Sequence, residues 1–88
     1  DLPIGVVAGD DLLDDLKRWI AEGRDFPHFE TGEPITNVAG KLVSANAYLG
    51  ARPIAEALGQ GARIVLTGRV ADASLTVGPA AHAFGWSW

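Results

Sequence analysis

Cysteine is absent, which rules out a disulfide framework and any thiolate metal site. Clustered positive charge is absent too. The seven Lys and Arg residues are scattered through a chain of formal net charge -4, so no basic stripe exists to follow a nucleic-acid backbone. No apolar run approaches the roughly 20 residues needed to cross a bilayer. The opening Asp1-Leu2-Pro3 does not read as a signal peptide, having the wrong charge and no apolar segment after it. Three chemical signatures are also missing. Gly5 and Gly9 do not build G-x-G-x-x-G, there is no G-K-[ST], and there is no G-x-S-x-G. His28 and His82 stand alone without the spacing of a ligand pair, and read as structural or surface residues.

What remains is the composition of a globular protein. The chain has 88 residues, 48% hydrophobic and 20% charged, enough for one domain at most. A chain this short buries roughly 60% of the surface its unfolded form exposes, so its core is small.

Hydrophobic periodicity divides the chain into alternating elements. Leu2 to Ala8 is an apolar, β-branched run that predicts a strand. Leu12, Leu13, Leu16, Trp19 and Ile20 fall on one helical face, which predicts a helix over about 11–22 ending at Gly23. Asp10 or Asp11 could cap it. Residues 24–40 carry Pro27 and Pro34 and show no period, so they read as a functional excursion or as a segment packed on a neighbouring part. Residues 41–45 predict a second strand. Pro53 opens a short helix with Ile54, Ala57 and Leu58 on its apolar side. Residues 62–67 predict a third strand, whose unalternating Ile64-Val65-Leu66 suggests burial on both faces. A last helix follows, with Asp72 or Ser74 as a possible cap, and Gly78-Pro79 predicts a kink or a restart at Pro79. Strands alternating with helices predict an α/β fold of the three-layer type, with a parallel sheet of about three strands and three helices.

Parallel sheets hold ligands beyond the carboxyl ends of their strands. Three polar exits would gather there: Gly9-Asp10-Asp11, the stretch from Ser44 through Asn46 and Tyr48 to Gly50, and the stretch from Thr67 and Gly68 through Arg69 and Asp72 to Ser74. Arg69 offers a planar fork for a carboxylate or phosphate, and Gly68 lets backbone approach a ligand. Asn46 could hold a carbonyl or hydroxyl, and Tyr48 could stack or donate a proton. Each residue also has a plain structural use. Asp72 could cap a helix, Arg69 could pair on the surface, Asn46 could serve a turn, and Tyr48 could be half-buried packing. Asp10 and Asp11 could join Asp72 around Mg²⁺, although adjacent carboxylates before a helix are more often caps.

Two runs carry a family resemblance. One is Ser44-Ala45-Asn46-Ala47-Tyr48-Leu49-Gly50-Ala51 followed by Pro53-Ile54 and Glu56-Ala57-Leu58. The other is Thr67-Gly68-Arg69-Val70-Ala71-Asp72-Ala73-Ser74-Leu75 with Gly78-Pro79 and Phe84-Gly85-Trp86. Together with Gly9-Asp10-Asp11-Leu12 and Thr31-Gly32-Glu33-Pro34, they resemble the N-terminal region of the acyclic terpene utilisation (AtuA) family, linked to breakdown of citronellol and geraniol. The resemblance implies that residues 1–88 are a partial α/β domain, a fragment of a longer protein, in keeping with an apolar start and the aromatic end Trp86-Ser87-Trp88. It also implies a cytoplasmic catabolic protein acting on acyl-CoA-type intermediates. It assigns no catalytic residue and no cofactor, and one fold serves many substrates. Two functions follow as expectations. The strand-end loops bind an anionic or acyl-CoA-type small molecule, or the chain is a non-catalytic segment that docks on the remainder of its parent chain or on a partner subunit.

Overall fold

The β-branched runs at 4–7 and 64–67 form the sheet. In a computed structural model describing residues 1–88, β1 (Ile4–Val7) and β2 (Ile64–Thr67) pair in parallel, with Ile4 opposite Ile64 and Val7 opposite Thr67. Three helices accompany them: α1 (Leu13–Ala21), α2 (Arg52–Gly59) and α3 (Ser74–Phe84). The mixed α/β class and the parallel pairing are as the sequence predicts.

The chain gathers into two compact units, Leu12–Asn46 and the pair of stretches Asp1–Asp11 and Ala47–Trp88. In the larger, α2 packs against both strands and against α3. Pro53 occupies the first turn of α2, where a missing N–H leaves no bond unmade. Gly5 lets that helix sit close: a Cβ there would meet the Cβ of Ala57 at 3.1 Å and that of Ala62 at 3.2 Å. The buried apolar residues are Val7, Ile54, Val70 and Ala81. Ser74 is buried among the polar residues.

α3 runs straight through Pro79 instead of restarting there. The residue before a proline is normally driven out of the helical region by a clash involving its Cβ, and Gly78 has none. α3 ends at Gly85, whose φ of 66° and ψ of 34° are left-handed, while the Trp86 N–H closes on the Ala81 carbonyl at 3.0 Å. Alanine at Gly85 should cost about 1 kcal/mol, the penalty of placing a Cβ in that region. A urea titration would register it as a lower midpoint with an unchanged slope.

In the smaller unit, α1 half-buries Leu13, Leu16, Trp19 and Ile20 on one face, as their spacing dictates. Arg18 pairs with Asp15 at 2.9 Å on the exposed side. Trp19 sits 6.0 Å from Phe26 and lies beneath the Arg24 guanidinium. Residues 24–40 contain no strand. The His28 Nδ1 accepts the N–H groups of Glu30 and Thr31, and 3-10 turns form at Ile35–Asn37 and Ala39–Lys41.

Two sequence expectations need correction. The strand over 41–45 does not form: Lys41 ends a 3-10 turn, no ladder follows, and Val43 is 89% exposed. A β-branched residue makes a strand only where a neighbour supplies the ladder, and the sheet holds only β1 and β2. The expected burial of residues 62–67 on both faces also fails. Gly5, Val7, Val65 and Thr67 turn inward, but Ile4, Val6, Ile64 and Leu66 are exposed.

Candidate functional site

β1 leaves the sheet through Gly9, whose φ of 108° is open to glycine and strained for other residues. That turn carries Asp10 over the exit of β2. There the Asp10 Oδ2 accepts the backbone N–H of Arg69 at 2.8 Å. The carboxylate occupies the space where a side chain at Gly68 would begin. The Gly68 N–H itself reaches the Val7 carbonyl at 3.1 Å and prolongs the β1–β2 ladder by one bond.

A third strip of backbone joins these two exits. The Ala47 N–H donates to the Asp10 carbonyl at 2.8 Å, and the Leu49 N–H to the Arg69 carbonyl at 3.3 Å. The Ala71 N–H returns to the Leu49 carbonyl at 2.9 Å, so Leu49 and Val70 form a parallel bridge. The Ala47–Leu49 strip therefore does at the strand ends what the missing strand at 41–45 was expected to do. It holds Tyr48 beside Arg69, and the guanidinium carbon stands 5.1 Å from the centre of the Tyr48 ring. That distance is a cation–π contact. Arg69 is exposed and takes no part in the ion pairs of the chain, which are made by Arg18 and Arg52.

The sequence-predicted residues divide accordingly. Tyr48, Thr67, Gly68 and Arg69 come together at the carboxyl end of the sheet. Gly50 is exposed one residue beyond the Leu49–Val70 bridge. Asp72 is exposed in the turn that follows, and Ser74 is buried at the start of α3. Ala73 takes the N-cap position with no side-chain bond, so neither Asp72 nor Ser74 is the cap of α3. Ser44 and Asn46 are exposed residues of the Leu12–Asn46 unit, outside any strand. The alternation that was to align their side chains does not apply there. Asp10, read from sequence as a cap or a metal ligand, is the residue that anchors the Arg69 backbone. The adjacent Gly9 and the distant Gly68 were the only traces of that role in the sequence. No three His, Asp or Glu side chains gather to hold a metal ion, so Asp10, Asp11 and Asp72 do not form the Mg²⁺ site considered above. No helix is long and apolar enough to cross a membrane.

The larger unit is thus a parallel α/β unit with an arginine–tyrosine pair at its strand ends. The chain belongs to the acyclic terpene utilisation family: the profile described as acyclic terpene utilisation family protein AtuA matches residues 1–88, its full length. This agrees with the resemblance carried by the runs at 44–58 and 67–86. No curated protein and no solved structure matches it.

Proposed function

We propose that this chain serves acyclic terpene utilisation, or a related degradation of acyl-CoA-type intermediates, by binding an anionic small molecule at the loops leaving β1 and β2. The observation that carries this reading is the Arg69 guanidinium, lying over the Tyr48 ring and engaged by no carboxylate. The guanidinium rests on the Tyr48 ring, and Asp10 holds the Arg69 backbone N–H. A fork resting on a ring and rooted in a held backbone loses less rotational freedom when it takes up a carboxylate or phosphate. Anion binding would draw on Arg69 first, with Thr67 and the Tyr48 hydroxyl as neutral partners.

Replacing Arg69 with Ala should weaken binding of acetyl-CoA or a free carboxylate such as citronellate roughly tenfold or more, the scale of one charge-assisted hydrogen bond. The melting temperature should hardly move, because the side chain is exposed. Isothermal titration of both proteins checks this, and equal dissociation constants would remove Arg69 from the site. Tyr48→Ala should give a smaller loss of the same kind, about two- to fivefold, since an exposed cation–π contact is worth about 0.5–1 kcal/mol.

A second reading is favoured by a different observation. Trp86 and Trp88 are exposed at one end of the chain, Trp86 stacked 5.9 Å from Phe84, and one face of the sheet is apolar and open. Aromatic groups of this kind are common in interfaces. On that reading the chain is a structural segment docking on a partner subunit or on more of its own polypeptide. Light scattering on the chain with and without acetyl-CoA separates the two: a monomer that binds the thioester supports the first reading, and obligate association without thioester binding supports the second.

A further inference from the structure

We propose that the Arg69 site selects a singly charged carboxylate head over a phosphate, and that Asp11 and Asp72 set that choice. The inference rests on the anion-binding reading above and narrows it to one class of anion. Charge is the first observation. The basic side chains of the larger unit are Arg52, Arg63 and Arg69. Arg52 is bonded to Glu56 at 3.1 Å, and Arg63 precedes β2, at the opposite end of that strand from Arg69. Arg69 itself stands among acids. The Asp10 Oδ2 lies 2.8 Å from its backbone nitrogen, and Asp11 follows directly in the chain. Asp72 is exposed three residues beyond Arg69, a reach of about 11 Å at most.

The backbone supplies the second observation. Phosphate sites draw on several main-chain N–H groups at once, at a helix N-terminus or a tight turn. The turn leaving β2 has already spent its own. Gly68 donates to the Val7 carbonyl, Arg69 to the Asp10 carboxylate, and Ala71 to the Leu49 carbonyl. At the start of α3, Ser74 donates to Ala71 and Thr76 to Ala73. A carboxylate needs none of these groups, because its two oxygens match the guanidinium fork. A phosphate monoester brings a third oxygen and, above pH 7, close to a second charge.

Magnitudes decide the order. An acid about 8 Å away opposes each ligand charge roughly twofold in water, so three acids oppose the second charge about eightfold. Arg69 at about 4 Å attracts that same charge roughly fivefold. The two nearly cancel, and the third oxygen, with no N–H to meet it, tips the balance toward the carboxylate.

The test is a titration of the isotopically labelled chain with octanoate and with octyl phosphate, which share one tail and differ in the head. It is run near pH 7.5 in about 0.01 M salt, where the Debye length is about 30 Å and the acids are felt in full. Octanoate should bind about threefold more tightly, or better. Asp11→Asn together with Asp72→Asn should strengthen octanoate about fourfold and octyl phosphate about sixteenfold, since repulsion scales with ligand charge. The preference for the carboxylate should then vanish. If the double variant loses its native circular dichroism spectrum, Asp72→Asn alone serves, with gains of about twofold and fourfold. Octyl phosphate binding the parent chain as tightly as octanoate would overturn the inference, and so would equal gains for the two ligands on neutralisation. Those results leave the anion-binding reading standing. Octanoate that does not bind, or that binds Arg69→Ala as tightly as the parent, overturns that reading and this inference with it.

Discussion

Valine in place of Gly78 should destabilise the larger unit by about 3 kcal/mol or more, the upper end of what overpacking a core costs. A domain of this size has about 5 kcal/mol of stability in total, so a loss of about 3 raises the unfolded population roughly a hundredfold, to a few per cent at room temperature. The geometry leaves little room for escape. A Cβ at Gly78 would stand 2.8 Å from both Cβ and Cγ2 of Ile54 and 3.1 Å from the Ala51 carbonyl oxygen. None of these is the far end of a flexible side chain. Ile54 is 3% exposed, the most buried apolar residue in the chain, and the Ala51 oxygen already accepts from Ala55 in the first turn of α2. Alanine alone should cost about 1–3 kcal/mol for the same reason. Ile54→Ala removes the Cγ2 contact, so Gly78→Ala should be less damaging in that background than in the parent chain. Such a difference between backgrounds is the mark of direct contact. The chain holds two compact units, so residue-resolved amide exchange is the right measurement. Protection should fall across α2 and α3, and a Gly78→Val protein with undiminished protection there would contradict the packing described.

Gly78 also shows what a sequence can and cannot disclose. Gly-Pro within a helical stretch reads as a break, because the local rule for proline is strong. The helix persists because the glycine both relieves the clash before Pro79 and lets Ile54 approach. The second reason involves α2, and no local pattern contains it. The same distinction runs through the fold. α1, α2, β1 and β2 were legible because periodicity, Pro53 and β-branched runs act within a few residues. The strand expected at 41–45 was not, because a strand depends on a partner that its own residues do not encode. Inward and outward faces were misjudged over 64–67, where an apolar run looks alike whether both sides are covered or one is open. At the candidate site, Arg69 and Tyr48 were visible as residue types beyond strand ends, and their contact followed once the strip at 47–49 bridged to Val70. Asp10 was read in its local role, since its bond to Arg69 joins residues 59 apart in sequence.

That long-range bond leads to the other large effect. Alanine at Gly68 should cost about 1.5–3 kcal/mol, the value of a hydrogen bond to a charged group, and should loosen the Arg69 backbone. Backbone strain is not the cause, because Gly68 is not among the glycines with positive φ. Nor is a rigid clash. The three atoms an added Cβ would meet first all belong to the Asp10 carboxylate. A short side chain can rotate away from that position, but in doing so it gives up the Arg69 N–H that it holds at 2.8 Å. The substitution should therefore act entirely through Asp10. Its signature is a large shift of the Arg69 amide resonance, with little change at Val65 or Leu66 in the body of β2. Placing Asp10→Ala and Gly68→Ala together tests the route. With no carboxylate to evict, alanine at Gly68 should add less than about 0.5 kcal/mol to the cost of Asp10→Ala, the margin within which unconnected changes are judged additive. Should Gly68→Ala instead retain its full penalty without Asp10, the carboxylate would not be what occupies the space above Gly68. If anion binding depends on how the Arg69 backbone is held, Gly68→Ala should also weaken acetyl-CoA binding while leaving the Arg69 side chain in place, a loss that restoring charge elsewhere on the surface would not repair.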